Sequence, residues 1–195
     1  MSFSPFATTA ALAAALLLGL SAPAAAQDKP HLTVYTYAAF TGKYGPGKKV
    51  KDGFEAECGC VLDWVSTDDA GSLLGRLKLE GAGTKADAVL GLDMNLAAEA
   101  KATGLFAPHG QDTKGLSLPA DWNDGALIPF DWGHLAFVYN VDKLAAPPAS
   151  LKELVEKADG PRLVLQDPRS SAPGLGLVLW MRQVYGDKAD EAWAK

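Results

Sequence analysis

Ser170 and Ser171 follow an Asp167-Pro168 break and precede an apolar, helix-like run from Ala172 to Trp180. The start of a helix carries N–H groups with no partner inside the helix and a partial positive charge, so hydroxyls placed there can help hold an anion. Pro173 suits a first turn, where its missing N–H costs nothing, and Gly174 and Gly176 leave room for a ligand to approach. Serines also cap helices in general, and on this stretch alone both readings stay open. Arg169 could serve the same anion or pair with Asp167, the commoner arrangement. Asp68 and Asp69 precede a leucine-rich run; they are either cap residues or a negative charge for a cationic ligand. Tyr37, Tyr44 and Trp132 lie near expected strand ends, where aromatic faces could stack on a flat cation.

Support for catalysis is thin. The chain has no G-x-S-x-G, Walker loop or dinucleotide fingerprint. His31, His109 and His134 have no serine or cysteine partner nearby in sequence. Cys58 and Cys60 are the only cysteines, and two thiols without a second pair or a nearby histidine do not build a zinc site. In an exported chain they favour a disulfide over free thiols, closing a very small and strained ring. These signals fit a binding cleft without a metal better than a catalytic one.

The elements that must position these residues follow from the pattern. His31 to Thr36, Val61 to Val65 and Ala86 to Gly91 read as strands. Helical spacing spans Lys48 to Glu57, with Val50 and Phe54 four apart, and Ala70 to Glu80, with Leu73, Leu74, Leu77 and Leu79. A further helix runs to Thr103. Strands alternating with helices predict an α/β fold with an open, largely parallel sheet, whose ligands sit beyond the carboxyl ends of the strands. Tyr37 with its loop, Asp68-Asp69 and Asp93 fall there. After an irregular stretch from Ala107 to Phe130, Asp131 to Asn140 reads as a strand crossing between two lobes. Ser150 caps a helix from Leu151 to Lys157, and Val164 begins another strand before the last helix.

Composition sets the outer bounds. The 195 residues are 48% hydrophobic with net charge −5, enough apolar content for a core and no basic patch for nucleic acid. Ala11 to Leu20 is apolar and is followed by small residues up to Ala26. That reads as a secretory signal peptide cut after Ala26, shorter than a membrane-spanning run needs. The domain expectation is a signal peptide over 1–26, a first α/β lobe over 27–130, and a crossing strand with the start of an incomplete second lobe over 131–195. The run GDKADEAWAK reaches Lys195 without a stop signal, which suggests a truncated reading frame.

Several blocks, TVYTYAAF, KADAVLGLD, TGLFA, PFDWGHLAFVYN, PPASLKELVE and LQDPRSSAPGLGLVLWMRQVYGD, resemble the periplasmic thiamine-binding proteins of bacterial ABC importers. The likeness runs from about His31 to Lys195, nearly without gaps. It implies a two-lobed, type II periplasmic-binding-protein fold, here truncated within the second lobe. It also implies a non-enzymatic periplasmic receptor, acting as a monomer without a cofactor. Its ligands would be thiamine, thiamine monophosphate or thiamine diphosphate, and its partners an inner-membrane permease with its ATPase. By the same resemblance the ligand-binding positions fall on Tyr37, Tyr44, Asp69, Ala70, Ser171 and Ala172, with Ser170 beside them. The serines would meet the phosphate or hydroxyethyl end, Asp69 the cationic or amino-bearing part, and the tyrosines a ring. Three positions depart from the family pattern. Ala38 replaces a frequent acid, Tyr44 a frequent tryptophan, and Ala172 a frequent hydroxyl. Further family ligand residues fall beyond Lys195, so this chain is expected to bind thiamine weakly. A receptor for a polyamine or an oxyanion is the alternative of the same class. A secreted phosphate-ester hydrolase would need a nucleophile, base or metal that the sequence does not offer.

Overall fold

The computed structural model describes residues 28–157 and 159–195. The expected signal peptide and its cleavage point lie outside the described residues. Three strands, β1 (His31–Tyr37), β2 (Val61–Thr67) and β3 (Ala88–Val89), form one parallel sheet in the order β2-β1-β3. β1 pairs with β2 along its whole length, from His31 opposite Val61 to Tyr37 opposite Thr67. β3 meets only Val34 and Tyr35, although Asp87 N–H and Leu90 N–H extend the contact to Thr33 O and Tyr35 O at 2.9 Å each. The third strand is therefore shorter than the sequence predicts.

Two short helices, α1 (Ala38–Thr41) and α2 (Gly47–Cys58), link β1 to β2, and α3 (Ala70–Glu80) links β2 to β3. The one-turn α1 lies where the sequence reads as loop. Side chains alternate along a strand, so Thr33, Tyr35 and Tyr37 share one face of β1. Tyr35 on that face packs with Leu73 and Leu77 of α3 in a buried cluster. The Arg76 guanidinium lies over the Tyr35 ring at 4.4 Å. Phe40 of α1 is also buried and meets Trp64 of β2 edge-on, with ring centroids 5.4 Å apart. α4 (Ala97–Ala102) seals a second cluster, in which Leu96 and Ala100 join Ala70 and Leu74.

The later part of the chain holds α5 (Leu151–Glu156), α6 (Ala172–Tyr185) and α7 (Ala189–Trp193). Leu151, Met181 and Ala192, one from each, form a third buried cluster. Two sequence expectations fail here. Residues 131–140 and 163–165 carry no strand, so the expected crossing strand is not formed. A strand exists only through hydrogen bonds to a neighbour, and no described residue supplies a ladder to either segment. Their apolar side chains stay open to solvent, with Val138 95% and Val164 98% exposed.

Candidate functional site

Two loops separated by about a hundred residues meet at the carboxyl end of the sheet. The first follows β2 and contains Asp69, at the N-cap position of α3. The second contains Ser170 and Ser171, and Ser171 is the N-cap of α6. Ser72 N–H donates to Ser170 O at 3.3 Å. The Asp69 carboxylate accepts from Ala172 N–H at 3.1 Å. Asp69 thus makes no side-chain cap to its own helix; it caps the other one. An Asp before a leucine stripe reads as a local cap in sequence, and the structure gives that capping bond to a helix 103 positions away.

Both loops close onto each other because the side chains between them are minimal. A Cβ on Gly71 would lie 2.8 Å from Arg169 O and from the Ser170 carbonyl carbon, closer than carbon atoms approach without overlap. Ala70 is buried, and Ala172 packs against the same apolar cluster. The methyl groups of Ala70 and Ala172 therefore serve the core. What these two positions can give a ligand is backbone. Ser171 is buried and doubly committed: its Oγ accepts from Gly174 N–H at 3.2 Å and bonds the Gln166 side-chain carbonyl. Ser170 is half-buried, and its hydroxyl lies 3.5 Å from Asp167 O.

Tyr37, the last residue of β1, completes the floor. Gly91 has φ +111, and a Cβ there would fall 2.2 Å from Tyr37 Cδ1, so the ring rests against bare backbone. Burial first, then the negative charges of Asp131 and Asp69, push the Tyr37 phenol above its ordinary value. Its hydroxyl stays protonated and available as a donor. Phe40 sits 5.8 Å from the Tyr37 ring, tilted by 60°, and Phe130 packs edge-on against Phe40 at 6.1 Å. Asp69, Asp131 and the Tyr37 hydroxyl therefore share one acidic, aromatic corner. Asp131 was missed in sequence, where DWG reads as the opening of a strand.

Other candidates stand apart from this corner. Tyr44 is 93% exposed, with the Lys43 ammonium 5.3 Å from its ring centre. Trp132 is exposed and stacks edge-on with His134 at 5.7 Å. Arg169 pairs with Asp167 through its Nε at 3.0 Å and its Nη2 at 2.5 Å, the local pairing weighed against anion binding. That hydrogen-bonded pair holds the Asp167 carboxyl at about 2. Asp93 caps the turn before α4, accepting from Asn95 N–H and Leu96 N–H at 2.8 and 3.2 Å. His31 bonds Asp63 at 2.6 Å, and His109 bonds Asp124 O at 2.8 Å. Among the described residues no group of three His, Cys, Asp or Glu is placed to hold a metal.

Comparison with known proteins bears on what such a corner serves. No family model matches the chain. The thiamine-binding periplasmic protein of Brucella abortus biovar 1 (strain 9-941) is 51% identical over 179 residues, 92% of this chain and 53% of that protein. The protein of the same name from Escherichia coli (strain K12) is 53% identical over 180 residues, 92% of this chain and 54% of its own length. A solved periplasmic thiamin binding protein superposes with a TM-score of 0.82 at 54% identity, covering 85% of this chain and 52% of its own. The chain is a relative of the periplasmic thiamine-binding proteins.

The chain spans about half the length of the curated relatives it matches. Its mixed helix-and-strand architecture is that of the matching part of the solved thiamin-binding protein. The positions that resemblance to thiamine-binding proteins marks as two pairs, Asp69-Ala70 and Ser171-Ala172, are in hydrogen-bond contact. Tyr37 faces the same corner, and Tyr44 does not join it. The Ala172 N–H is held by Asp69.

Proposed function

We propose that this chain carries part of the ligand cleft of a periplasmic receptor that delivers thiamine and its phosphate esters to an ABC permease with its ATPase. The observation that carries the reading is the bond between Asp69 and Ala172 N–H, beside the neutral Tyr37 hydroxyl. It brings together a carboxylate for a cation, an aromatic face for a ring and a serine loop for an anion. Thiamine monophosphate offers all three partners: a thiazolium cation, flat rings and a phosphate. A polyamine would use the carboxylates and leave the serine loop idle; an inorganic oxyanion would do the reverse and meet the repulsion of Asp69 and Asp131.

In this reading Tyr37 stacks on or hydrogen-bonds the ligand ring system, and Asp69 faces its charged or amino-bearing part. Ser170 supplies a hydroxyl near the phosphate or hydroxyethyl end. Ser171 fixes the first turn of α6, whose Gly174 N–H it holds while Asp69 holds that of Ala172, and so sets the place of the Ser170 hydroxyl beside it. Ala70 and Ala172 contribute backbone only, and Tyr44, which stands apart from the corner, takes no part in this reading. In this reading the protein binds its ligand and performs no chemistry on it, in line with the names of the binding proteins it resembles. The domain reading goes with it, with a leader over 1–26, a first lobe over 27–130 and the start of a second over 131–195.

Calorimetric titration of the leader-free protein with thiamine, thiamine monophosphate and spermidine tests the proposal. Binding of thiamine or its phosphate with no heat from spermidine supports it. Binding of spermidine or of inorganic phosphate in preference to both thiamine forms would sink it. Asp69→Asn should weaken thiamine by about tenfold, the loss of one charge-assisted contact.

A further inference from the structure

The turn Cys58-Gly59-Cys60 has no part in the ligand corner. It joins α2 to the first residue of β2, the opposite end of that strand from Asp69. Cys58 and Cys60 are bonded to each other across a single residue. Cys58 is exposed and Cys60 partly so, and the pair is open to a reagent from solvent.

The turn is held by other bonds. Gly59 adopts the left-handed conformation at φ 64 and closes α2 by donating to Glu55 O at 3.2 Å. Leu62 N–H donates to Glu55 Oε1 at 2.8 Å. The Lys51 ammonium bonds Glu55 Oε1 at 2.6 Å and reaches the Leu62 carbonyl as well. Lys51 and Glu55, one turn apart on α2, therefore grip both polar groups of Leu62 and fix the entry of β2. A cross-link spanning one residue removes few conformations from the unfolded chain, because the restraint grows with loop length. Little of the local structure depends on the sulfur–sulfur bond.

Exposure together with a redundant structural part describes an exchangeable bond, since exposed disulfides are the labile ones and shielded structural ones resist reduction. We propose that Cys58–Cys60 is a redox modification site, reduced reversibly by thiols while the fold stays in place. A thiolate attacks Cys60 Sγ; the Sγ–Sγ bond breaks and its electron pair leaves on Cys58 Sγ, which accepts Cys60 N–H at 3.1 Å. A hydrogen bond to the departing sulfur favours it as the leaving group. A second thiolate attacks the reagent sulfur of the mixed disulfide and releases Cys60. Two thiols are oxidised to one disulfide, and their two protons end on Cys58 and Cys60.

The test uses the oxidised, leader-free protein in buffers of stepped reduced-to-oxidised glutathione ratio, quenched with acid, alkylated and weighed, with thermal melts of each form. The expected result is a dithiol as the main species in excess reduced glutathione, a transient glutathione adduct that maps to Cys60, and melting points of the two forms within roughly 4 °C. The double variant Cys58→Ser with Cys60→Ser should melt like the oxidised protein. A disulfide that survives excess glutathione overturns the proposal. So does reduction that lowers the melting point further than that, because the bond would then be a structural clip. An adduct on Cys58 overturns the assigned direction of attack. None of these outcomes depends on which solute the protein binds.

Discussion

The two parts of the chain solve the same folding problem with unequal success. Between His31 and Phe106, strands and helices cover one another: Tyr35, Leu73, Leu74 and Leu77 are all nearly sealed from solvent. Between Asp131 and Lys195 the helices form and share a small core of Leu151, Met181 and Ala192, yet the apolar runs expected as strands do not pair. Phe137, Val138, Leu163, Val164 and Trp180 remain exposed. Helix hydrogen bonds close within four residues and need no partner segment, whereas a strand is only as real as its neighbour. The same degree of apolar patterning therefore yields buried structure in one part and open structure in the other.

Truncating a core leucine should separate the parts most sharply. Leu73→Ala removes a side chain with no exposure and should cost about 2–5 kcal/mol, read by urea unfolding. Val138→Ala, at 95% exposure, should stay within about 0.5 kcal/mol. Equal losses would mean that the second part packs in solution as tightly as the first. Amide exchange should show the same contrast, slow at Tyr35 and fast at Val138.

The seam between the parts comes next. Gly71→Ala forces a methyl group against the Arg169 and Ser170 backbone and should cost about 1–3 kcal/mol as an overpacking strain. The first and later parts should then melt less cooperatively, and, on the proposed function, binding of thiamine should fall along with the loss of the Ser72–Ser170 bond. A neutral result would show that the two loops are not in contact in solution. Asp69→Ala should be milder, at about 1 kcal/mol for a lost helix cap. Asp69→Asn retains an acceptor for Ala172 N–H and should recover most of that stability. If Asn restores stability and binding stays weak, the Asp69 charge serves the ligand; if both recover, Asp69 acts only as a cap.

What the sequence made legible tracks the same division. The α/β alternation, the parallel order implied by it, the helix beginning after Ser171 and the disulfide were all readable, because each rests on spacing or on local chemistry. The Arg169–Asp167 pair was readable for the same reason. The destination of the Asp69 carboxylate was not. Nothing within a few residues of Asp69 indicates that its partner is Ala172 N–H, and a local rule assigns it to its own helix. Asp131 was invisible for a related reason, since its influence on Tyr37 comes through space from a segment whose pattern suggests a strand. The strands over 131–140 and 163–165 were over-read: pattern reports what a segment can pair with and is silent on whether the pairing strand is there.

The smallest expected effect is an acid response that touches both parts. Asp167 in the serine loop and Asp124 in the long connection are both held at about 2, the first chiefly by its bonds to Arg169, the second chiefly by its bond to Lys101. Both lie below the ordinary value near 3.9 of an unfolded carboxylate. A depressed folded-state value means that the stabilisation is complete above about pH 4 and is lost as pH falls through about 2, because below that the unfolded chain no longer binds extra protons. Two-dimensional NMR between pH 5 and 2 should show the Arg169 and Leu127 amides moving together in this window, since each donates to one of these carboxylates, at 2.9 and 3.0 Å. Both partners are exposed in the Arg169 pair, so its change should be local and small. Asp124 accepts two backbone N–H groups as well as Lys101, and protonating it should loosen the 107–130 connection more than protonating Asp167 loosens the serine loop. Titration of Leu127 near pH 4 would show that Asp124 lacks these bonds in solution, and the link from α4 into the second part would then rest on packing alone.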